Sequence, residues 1–183
     1  MLEAPADARL QPEFPLYADR MHVRRASVAD AEAIRQIYNA EVLGSTATFD
    51  LVPRSLDDQR EWLAEHSGPY PAVVAECHGR LAGFGSLSPY RSRPAYATTV
   101  EDSVYVERDK RAQGVGKLLL GELVAVGAAH GFHAVIARIA GGQEASIALH
   151  LSCGFEQVGV EREVGRKFGQ WLDVVLMQRL LVD

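Results

Sequence analysis

Apolar and polar positions follow two different periods along the chain, and the changes of period separate predicted helices from predicted strands. Helical spacing is clearest in Ile34, Ile37, Tyr38 and Val42. The capping pattern of Ser27 and Asp30 precedes these residues, so we predict a helix that ends near Leu43. Ser55 and Asp58 repeat the capping pattern and predict the start of a second helix.

The other elements are extended runs and two further helices. His78-Gly79 is typical of a hairpin turn, and Gly131 is a helix stop signal. Strands are predicted over 21–25, 72–76, 80–87, 98–106, 133–139, 155–161 and 172–180, and helices over 115–130 and 144–152. This order of elements predicts a mixed α/β (α+β) fold in one domain.

Length and composition limit the possible organisation. A chain of 183 residues fits one domain, which we expect to occupy residues 21–183. Residues 1–20 contain Pro5, Pro12 and Pro15 and lack the apolar stretch of a secretion signal, so we predict a flexible N-terminal arm. No apolar run approaches the roughly 20 residues that span a bilayer, so we expect no membrane partner.

Charge and cysteine content exclude several classes of function. The net charge is −5 and the 19 basic residues are scattered, whereas a nucleic-acid-binding protein concentrates them on one face. Cys77 and Cys153 have no close partner spacing, which indicates reduced thiols and a cytoplasmic protein. The six histidines show no metal-ligand spacing, so we expect no metal site.

A glycine-rich turn after the predicted strand 98–106 is the main candidate for ligand binding. Gly114 and Gly116 remove side chains where a backbone must approach a ligand, and the next helix directs free N–H groups to the same place. Arg111 and Lys117 can add charged contacts to a phosphate. On spacing alone, the turn is equally compatible with a tight strand-to-helix connection. It is neither a Walker loop nor a dinucleotide fingerprint.

The surrounding motifs resemble a known superfamily. A strand ending in Val-Tyr-Val, followed by R-x-x-G-x-G at a helix start, resembles the acetyl-CoA site of the GNAT superfamily of N-acetyltransferases. The segment 144–150 (EASIALH), followed by Cys-Gly-Phe at 153–155, is similar to that superfamily's next motif. The segments 46–49 (TATF), 99–101 (TVE) and 165–173 (GRKFGQWLD) resemble the phosphinothricin N-acetyltransferase branch. The resemblance extends from about residue 23 to 180.

The resemblance implies a twisted mixed sheet flanked by helices, with acetyl-CoA in a V-shaped splay between the strands 98–106 and 133–139. It implies that the backbone of Val104 and Val106 pairs with the pantetheine arm. The family commonly has Asn where this chain has Gln143. Ser146 either contacts the cofactor or is an N-cap or early-turn hydroxyl of the short helix. The implied cofactor-binding residues are Val104, Tyr105, Val106, Arg111, Ala112, Gln113, Gly114, Val115, Gly116, Lys117, Gln143 and Ser146.

Direct acetyl transfer needs an amine that loses a proton, a polarised thioester carbonyl and a protonated leaving thiolate. By resemblance Glu101 is the general base, acting through a water, and unbroken alternation places it on one face with Ser103 and Tyr105. A strand bulge would shift that alternation. Asp102 is a competing candidate for the base. Without the resemblance, the favoured interpretation of Glu101 is a solvated carboxylate on a strand. Backbone N–H groups at such a bulge, for example that of Val104, can polarise the carbonyl. His150 stands where many members have Tyr and can donate a proton, or it can simply pack on the helix face.

The acceptor is expected at a loop that combines arginines with aromatic residues. Arginine suits bidentate recognition of a carboxylate or phosphinate, although a solvated basic loop has the same composition. The candidate acceptor-binding residues are Phe49, Tyr90, Arg91, Arg93 and Tyr96. The branch resemblance implies phosphinothricin, methionine sulfoximine or methionine sulfone as acceptor, and a homodimer. A protein or peptide N-terminal acetyltransferase and a non-catalytic acetyl-CoA sensor remain alternatives.

Overall fold

The computed structural model describes residues 21–181; residues 1–20, which were predicted to form an arm, and residues 182–183 lie outside the described residues. The strands are β1 (Met21–Arg25), β2 (Ala72–Cys77), β3 (Arg80–Pro89), β4 (Thr99–Val106), β5 (Ala134–Ala140), β6 (Glu156–Lys167) and β7 (Gln170–Leu180). The α-helices are α1 (Ala31–Gly44), α2 (Leu56–Glu65), α3 (Val115–Ala129) and α4 (Glu144–Ser152).

All the strands form one seven-stranded sheet, in the order β1-β2-β3-β4-β5-β7-β6. Neighbouring strands are antiparallel except for β4 and β5, which are parallel and connected through α3. A parallel pair requires such a crossover because the chain must return to the same end of the sheet. The mixed sheet with flanking helices confirms the predicted fold class.

Helices cover both faces of the sheet. Leu119, Leu120 and Leu123 of α3 are buried in one apolar cluster with Val100 of β4 and Val135 of β5. A second cluster contains the buried residues Ile34, Ile37, Tyr38 and Val42 of α1 with Val74 and Phe84 of the sheet. Because successive side chains of a strand point to opposite faces, β2, β3 and β4 contribute side chains to both clusters.

The parallel pair β4–β5 separates along its length. Pairing begins at Thr99 and Ala134 and stops at Asp102 and Ala137. We call this last pair, Asp102 with Ala137, the apex. Beyond the apex, β4 pairs only with β3 as far as Val106, and β5 pairs only with β7 as far as Ala140. The two strands therefore leave facing backbone edges without a strand partner within the described sheet, and the predicted V-shaped splay is confirmed.

The last two strands are longer than the pattern predicted. β6 was expected to end at Glu161 and β7 to begin at Leu172, but they extend to Lys167 and from Gln170. Two register shifts in β6 disturb its alternation of apolar and polar residues. A two-residue turn with positive φ at Phe168 (50°) and Gly169 (78°) joins the strands and lacks the usual Asn-Gly or Asp-Gly signal.

Candidate active site

A cleft of about 430 Å³ occupies the splay between β4 and β5. Its walls are the diverging ends of these strands, the glycine-rich turn, and the first residues of α3 and α4. Of the predicted cofactor-binding residues, the lining includes Val104, Tyr105, Val106, Arg111, Ala112, Gly114, Val115, Gly116, Lys117, Gln143 and Ser146, and it also includes His150. Gln113 is not in the lining, because its amide folds back and donates to the Asp109 carbonyl at 2.8 Å.

The two glycines of the turn have different roles. Gly114 has a φ of 85°, and no atom lies within 4 Å of the position that a Cβ would take. Gly116 allows close packing, because a Cβ there would lie 2.9 Å from a methyl group of Leu149 on α4 and that side chain would have to move. Ala112 also has a positive φ of 59°, which is uncommon for a residue with a side chain and is often found at functional sites. Gly114 thus opens the turn, whereas Gly116 allows α3 and α4 to approach.

A buried carboxylate that the sequence reasoning missed orders the turn. Glu41 of α1 is 2% exposed, and its Oε1 accepts from Arg111 Nη2 at 2.8 Å and from Arg108 Nε at 3.0 Å. Burial opposes ionisation, but the Ser45 hydroxyl and the two guanidinium groups hold the pKa of Glu41 below its ordinary value. Its place in the apolar stripe of α1 was the available sequence signal.

The charged side chains of the turn are therefore not equivalent. Arg111 is held by Glu41 and also donates to the Val106 carbonyl at 3.2 Å, so its guanidinium mainly connects the turn to α1 and β4. Lys117 lines the cleft and has no ion pair among the described residues. Lys117 is consequently the cation most available to an anionic ligand at this end of the cleft.

The start of α4 contacts the loop after α1. Gln143 occupies the N-cap position, and its side-chain amide donates to Thr46 Oγ1 at 3.2 Å. Ser146 lies three residues after the N-cap, in the first turn of α4, and it lines the cleft. Gln143 therefore takes the N-cap position, and the position of Ser146 fits both an early-turn hydroxyl and a ligand contact. In this arrangement, the Gln143 amide joins the two sides of the cleft.

Glu101 lies beside the apex but on the face opposite to α3. The register of β4 with β3 is unbroken, so Glu101 and Tyr105 alternate with Val100 and Val104. Glu101 does not line the cleft itself. Burial raises the pKa of Glu101 above its ordinary value; Arg138 opposes this effect, and the carboxylates of Asp102 and Glu161 reinforce it. A half-buried carboxyl with a raised pKa is chemically suited to accept a proton near neutral pH.

His150 and Asp102 form a buried pair on the other face. His150 Nε2 lies 3.0 Å from Asp102 Oδ2, and the two residues are 3% and 6% exposed. Both residues line the cleft. His150 therefore makes a buried polar contact as well as packing on the sheet, and the carboxylate of Asp102, the competing base, is engaged by a histidine.

The predicted acceptor residues lie together only in part. Tyr90 and Tyr96 meet edge to face with ring centroids 5.5 Å apart, and the Arg91 guanidinium lies 4.8 Å from the Tyr90 centroid. Arg93 begins the short turn Pro94–Tyr96 and is exposed. Phe49 instead packs against Gly165 of β6, where a Cβ would overlap its ring. None of these five residues lines the cofactor cleft.

Two classes of feature are absent from residues 21–181. No described helix has both the length and the apolar composition needed to cross a membrane. Among the same residues, no three His, Cys, Asp or Glu side chains are grouped so that they can hold a metal ion.

Comparison with known proteins agrees with this geometry. A family profile described as "Acetyltransferase (GNAT) domain" matches residues 23–176. The chain is 40% identical to a phosphinothricin N-acetyltransferase of Streptomyces coelicolor over 88% of this chain and 96% of that protein. It is also 40% identical to an L-methionine sulfoximine/L-methionine sulfone acetyltransferase of Pseudomonas paraeruginosa, over 85% and 92% of the two chains. A phosphinothricin acetyltransferase from Sinorhizobium meliloti, solved with acetyl-CoA, superposes with a TM-score of 0.84 at 39% identity, covering 88% of each chain.

Proposed function

Because the chain belongs to the GNAT acetyltransferase family and is an N-acetyltransferase, we propose that it acetylates the amine of a small, anionic, amino-acid-like acceptor. The expected acceptors are of the phosphinothricin, methionine sulfoximine and methionine sulfone type, which the names of its relatives specify. The acetyl group is transferred directly from acetyl-CoA to the amine. The observation that carries the proposal is the splay of β4 and β5, with the glycine-rich turn at its open end.

The residues of the cleft fit acetyl-CoA. The facing edges 103–106 and 138–140 offer unpaired backbone groups to the amides of a pantetheine arm, in the manner of an added strand. The first N–H groups of α3 and the open turn at Gly114 suit a pyrophosphate, and Lys117 adds a positive charge. The Ala112–Lys117 segment is therefore expected to hold the phosphates, with Arg111 bound to Glu41 behind it.

Three groups of the chain are assigned to the chemistry. Glu101 accepts the proton of the acceptor ammonium, through a water, and its raised pKa supports this role. The N–H of Val104, just beyond the apex, polarises the thioester carbonyl. His150 protonates the departing thiolate. No covalent intermediate on the protein is required, because the amine attacks the thioester carbon itself.

The acceptor's acid group is assigned to the loop between β3 and β4. Arg91, which lies over the tyrosine rings of Tyr90 and Tyr96, presents a planar cation that suits a carboxylate or a phosphinate. Arg93 is next to this cluster in the chain. Phe49, which packs against Gly165 of β6, lies outside the cluster and is proposed only as an apolar side chain that the acceptor contacts. Because Ser88, two residues before Tyr90, pairs with Glu101 across β3 and β4, the acid group is expected to bind near Glu101.

A homodimer in the cytoplasm is the setting we infer. The terminal hairpin exposes several large apolar side chains, Val158, Val160, Val164, Phe168 and Trp171, which we call the hairpin patch. Exposed apolar groups of this kind are typical of protein–protein contacts. Cys77 and Cys153 are both free thiols, which agrees with a reducing compartment.

A panel of acceptors tests the proposed function. Release of the coenzyme A thiol is followed with phosphinothricin, L-methionine sulfoximine, L-methionine sulfone, proteinogenic amino acids and peptides. We expect turnover with small acidic amines. Turnover with peptides alone would support an N-terminal acetyltransferase instead, and tight acetyl-CoA binding without turnover on any amine would support a sensor.

The Arg91→Gln variant tests the acceptor site within the same panel. Loss of a charged hydrogen bond of about 1.5–3 kcal/mol should raise KM for acidic acceptors roughly 10- to 100-fold. The KM for acetyl-CoA should stay the same. Arg60→Gln, which removes an exposed arginine paired with Asp57 on α2, is the matched control. An unchanged acceptor KM in Arg91→Gln would contradict the assignment of this loop.

A further inference from the structure

Asp102 occupies a special position in the sheet. It is the last residue of β4 that pairs with β5, so it stands at the apex where the two strands separate. Its side chain lies on the face that α3 and α4 cover, where His150 of α4 reaches it. A buried carboxylate at the closed end of a substrate cleft is costly unless a partner compensates its charge.

The hydrogen bonds of His150 determine where its protons are. Nδ1 lies 2.7 Å from the Ser146 carbonyl, which can only accept, so Nδ1 carries a hydrogen. Nε2 lies 3.0 Å from Asp102 Oδ2, so a second proton is shared along that line. Asp102 Oδ1 is buried and has no hydrogen-bond partner among residues 21–181. The pair therefore stores one proton beyond the one that is fixed on Nδ1.

The surroundings of the ring make Asp102 the group that controls this proton. Phe155 packs against the imidazole edge to face, with ring centroids 5.0 Å apart, and contributes no charge. Arg138 and Glu161, 2.7 Å apart, lie towards the other face and perturb the pKa of Glu101. Among residues 21–181, Asp102 is the only ionised group that shifts the pKa of His150. Burial alone lowers the pKa of His150, but the hydrogen bond and charge of Asp102 more than offset it and leave that pKa above its ordinary value.

We propose that Asp102 is a positioning residue that keeps the second proton on His150, and that His150 Nε2 gives this proton to the thiolate of coenzyme A. This proposal rests on the proposed acetyltransferase function. As the C–S bond breaks, its electron pair stays on sulfur and sulfur takes the Nε2 proton. The ring is left neutral, with Nδ1–H still bonded to Ser146, and takes a proton from solvent before the next turnover.

The chemistry explains why an aspartate is useful at this position. An unperturbed histidine, with a pKa near 6.5, is mostly unprotonated above pH 7 and has no proton to give. A thiol has a pKa of about 8.5, so an acid that holds its proton more tightly than ordinary histidine is better matched to the thiolate. Asp102 also fixes the ring by its second nitrogen, so the acid has one orientation at the apex.

Two substitutions of Asp102 separate this role from simple anchoring of α4. Asp102→Asn retains the shape, and its amide can donate to a neutral Nε2, so the link to α4 survives without the charge. Asp102→Ala removes the link altogether. In Asp102→Asn we expect kcat to fall by about 10- to 100-fold at pH 8, and by less near pH 6, where His150 gains its proton unaided. The Kd for acetyl-CoA should change by less than about twofold.

A spectroscopic titration accompanies the kinetics. With ¹⁵N-labelled histidine, the ring of His150 in the whole protein should titrate above the ordinary histidine value, which is near 6.5. In Asp102→Asn the midpoint should move below that value. His130→Gln, which changes an exposed histidine at the end of α3, identifies background signals without touching the cleft.

The outcomes are distinct. The proposal would be overturned if, in Asp102→Asn, His150 titrated as in the wild type and kcat had the same pH dependence as in the wild type. An equal loss of acetyl-CoA affinity in Asp102→Asn and Asp102→Ala at every pH would also overturn it. That result would mean that Asp102 only anchors α4 to the sheet. Lack of turnover by the wild type on any amine would instead contradict the proposed function. The titration would still decide whether Asp102 keeps the second proton on His150.

Discussion

Neighbouring carboxylates serve opposite faces of one strand. Glu101 and Asp102 differ by one position, and the alternation of a strand sends the first towards the α1 side and the second to His150. The pattern of residues in the sequence predicts both acidic groups, and the family resemblance favours Glu101. The sequence pattern cannot predict the hydrogen bond between His150 and Asp102, because these residues are 48 positions apart and meet only through the packing of α4 on the sheet.

Replacing Glu101 by Gln should remove the general base. We expect kcat to fall by about 10²- to 10⁴-fold, the range typical of general base catalysis, while the Kd for acetyl-CoA remains nearly unchanged. Steady-state thiol release and calorimetric titration with acetyl-CoA measure the two effects. Glu122→Gln, which removes an exposed carboxylate on α3, is the control. A loss of cofactor affinity in Glu101→Gln would rule out this role.

The direction of the Glu101 pKa predicts the acid limb of the pH profile. A base must be unprotonated to act, so kcat/KM should rise with pH through the pKa of Glu101. Because burial raises that pKa, the midpoint should lie above the ordinary carboxyl range, which centres near 4.3. A kcat/KM profile between pH 4 and 8 checks this, and the limb should disappear in Glu101→Gln. A limb with the same midpoint in that variant would assign it to another group.

At the scale of elements, the contact of α3 with α4 determines the shape of the cleft. The glycine-rich turn and the helix after it are predictable from sequence, since glycine spacing and helix periodicity are local signals. The separate roles of Gly114 and Gly116 cannot be predicted from the sequence, because the need for a small residue at 116 arises from Leu149, 33 positions later. The extension of β6 and β7 was missed for a related reason, since its turn lacks the common sequence signal.

A paired substitution tests the α3–α4 contact. Gly116→Ala places a methyl group 2.9 Å from Leu149 and should destabilise the protein by about 1–3 kcal/mol. Leu149→Ala combined with Gly116→Ala should recover part of that loss relative to Leu149→Ala alone, because the added methyl then fills space. Urea unfolding measures the free energies. Strict additivity of the two changes would contradict the proposed contact.

At the scale of the whole molecule, the sheet order explains why the two ends differ. β4 and β5 lie at the centre and hold the cleft, whereas β6 is an edge strand and bears much of the hairpin patch. The topology follows from the order of predicted elements and the resemblance. The surface around the patch could not be predicted, because bulges in β6 decide which side chains are exposed.

The hairpin patch predicts self-association. Val160 is 45% exposed on β6, and a Val160→Lys change should convert a dimer of the wild type into a monomer if the patch forms the contact. Val28→Lys, at an exposed apolar residue before α1, is the control and should leave the dimer intact. Light scattering coupled to gel filtration gives the masses. A dimeric Val160→Lys protein would place the interface elsewhere.

A crystal structure of the protein with acetyl-CoA and L-methionine sulfone tests the central claim most directly. We predict the pantetheine arm between residues 103–106 and 138–140, the pyrophosphate against residues 112–117, and the acceptor amine on the Glu101 side of the apex. The acceptor carboxylate should lie at Arg91. An acetyl-CoA molecule bound outside the splay, or an amine out of reach of Glu101 even through a water, would contradict this account.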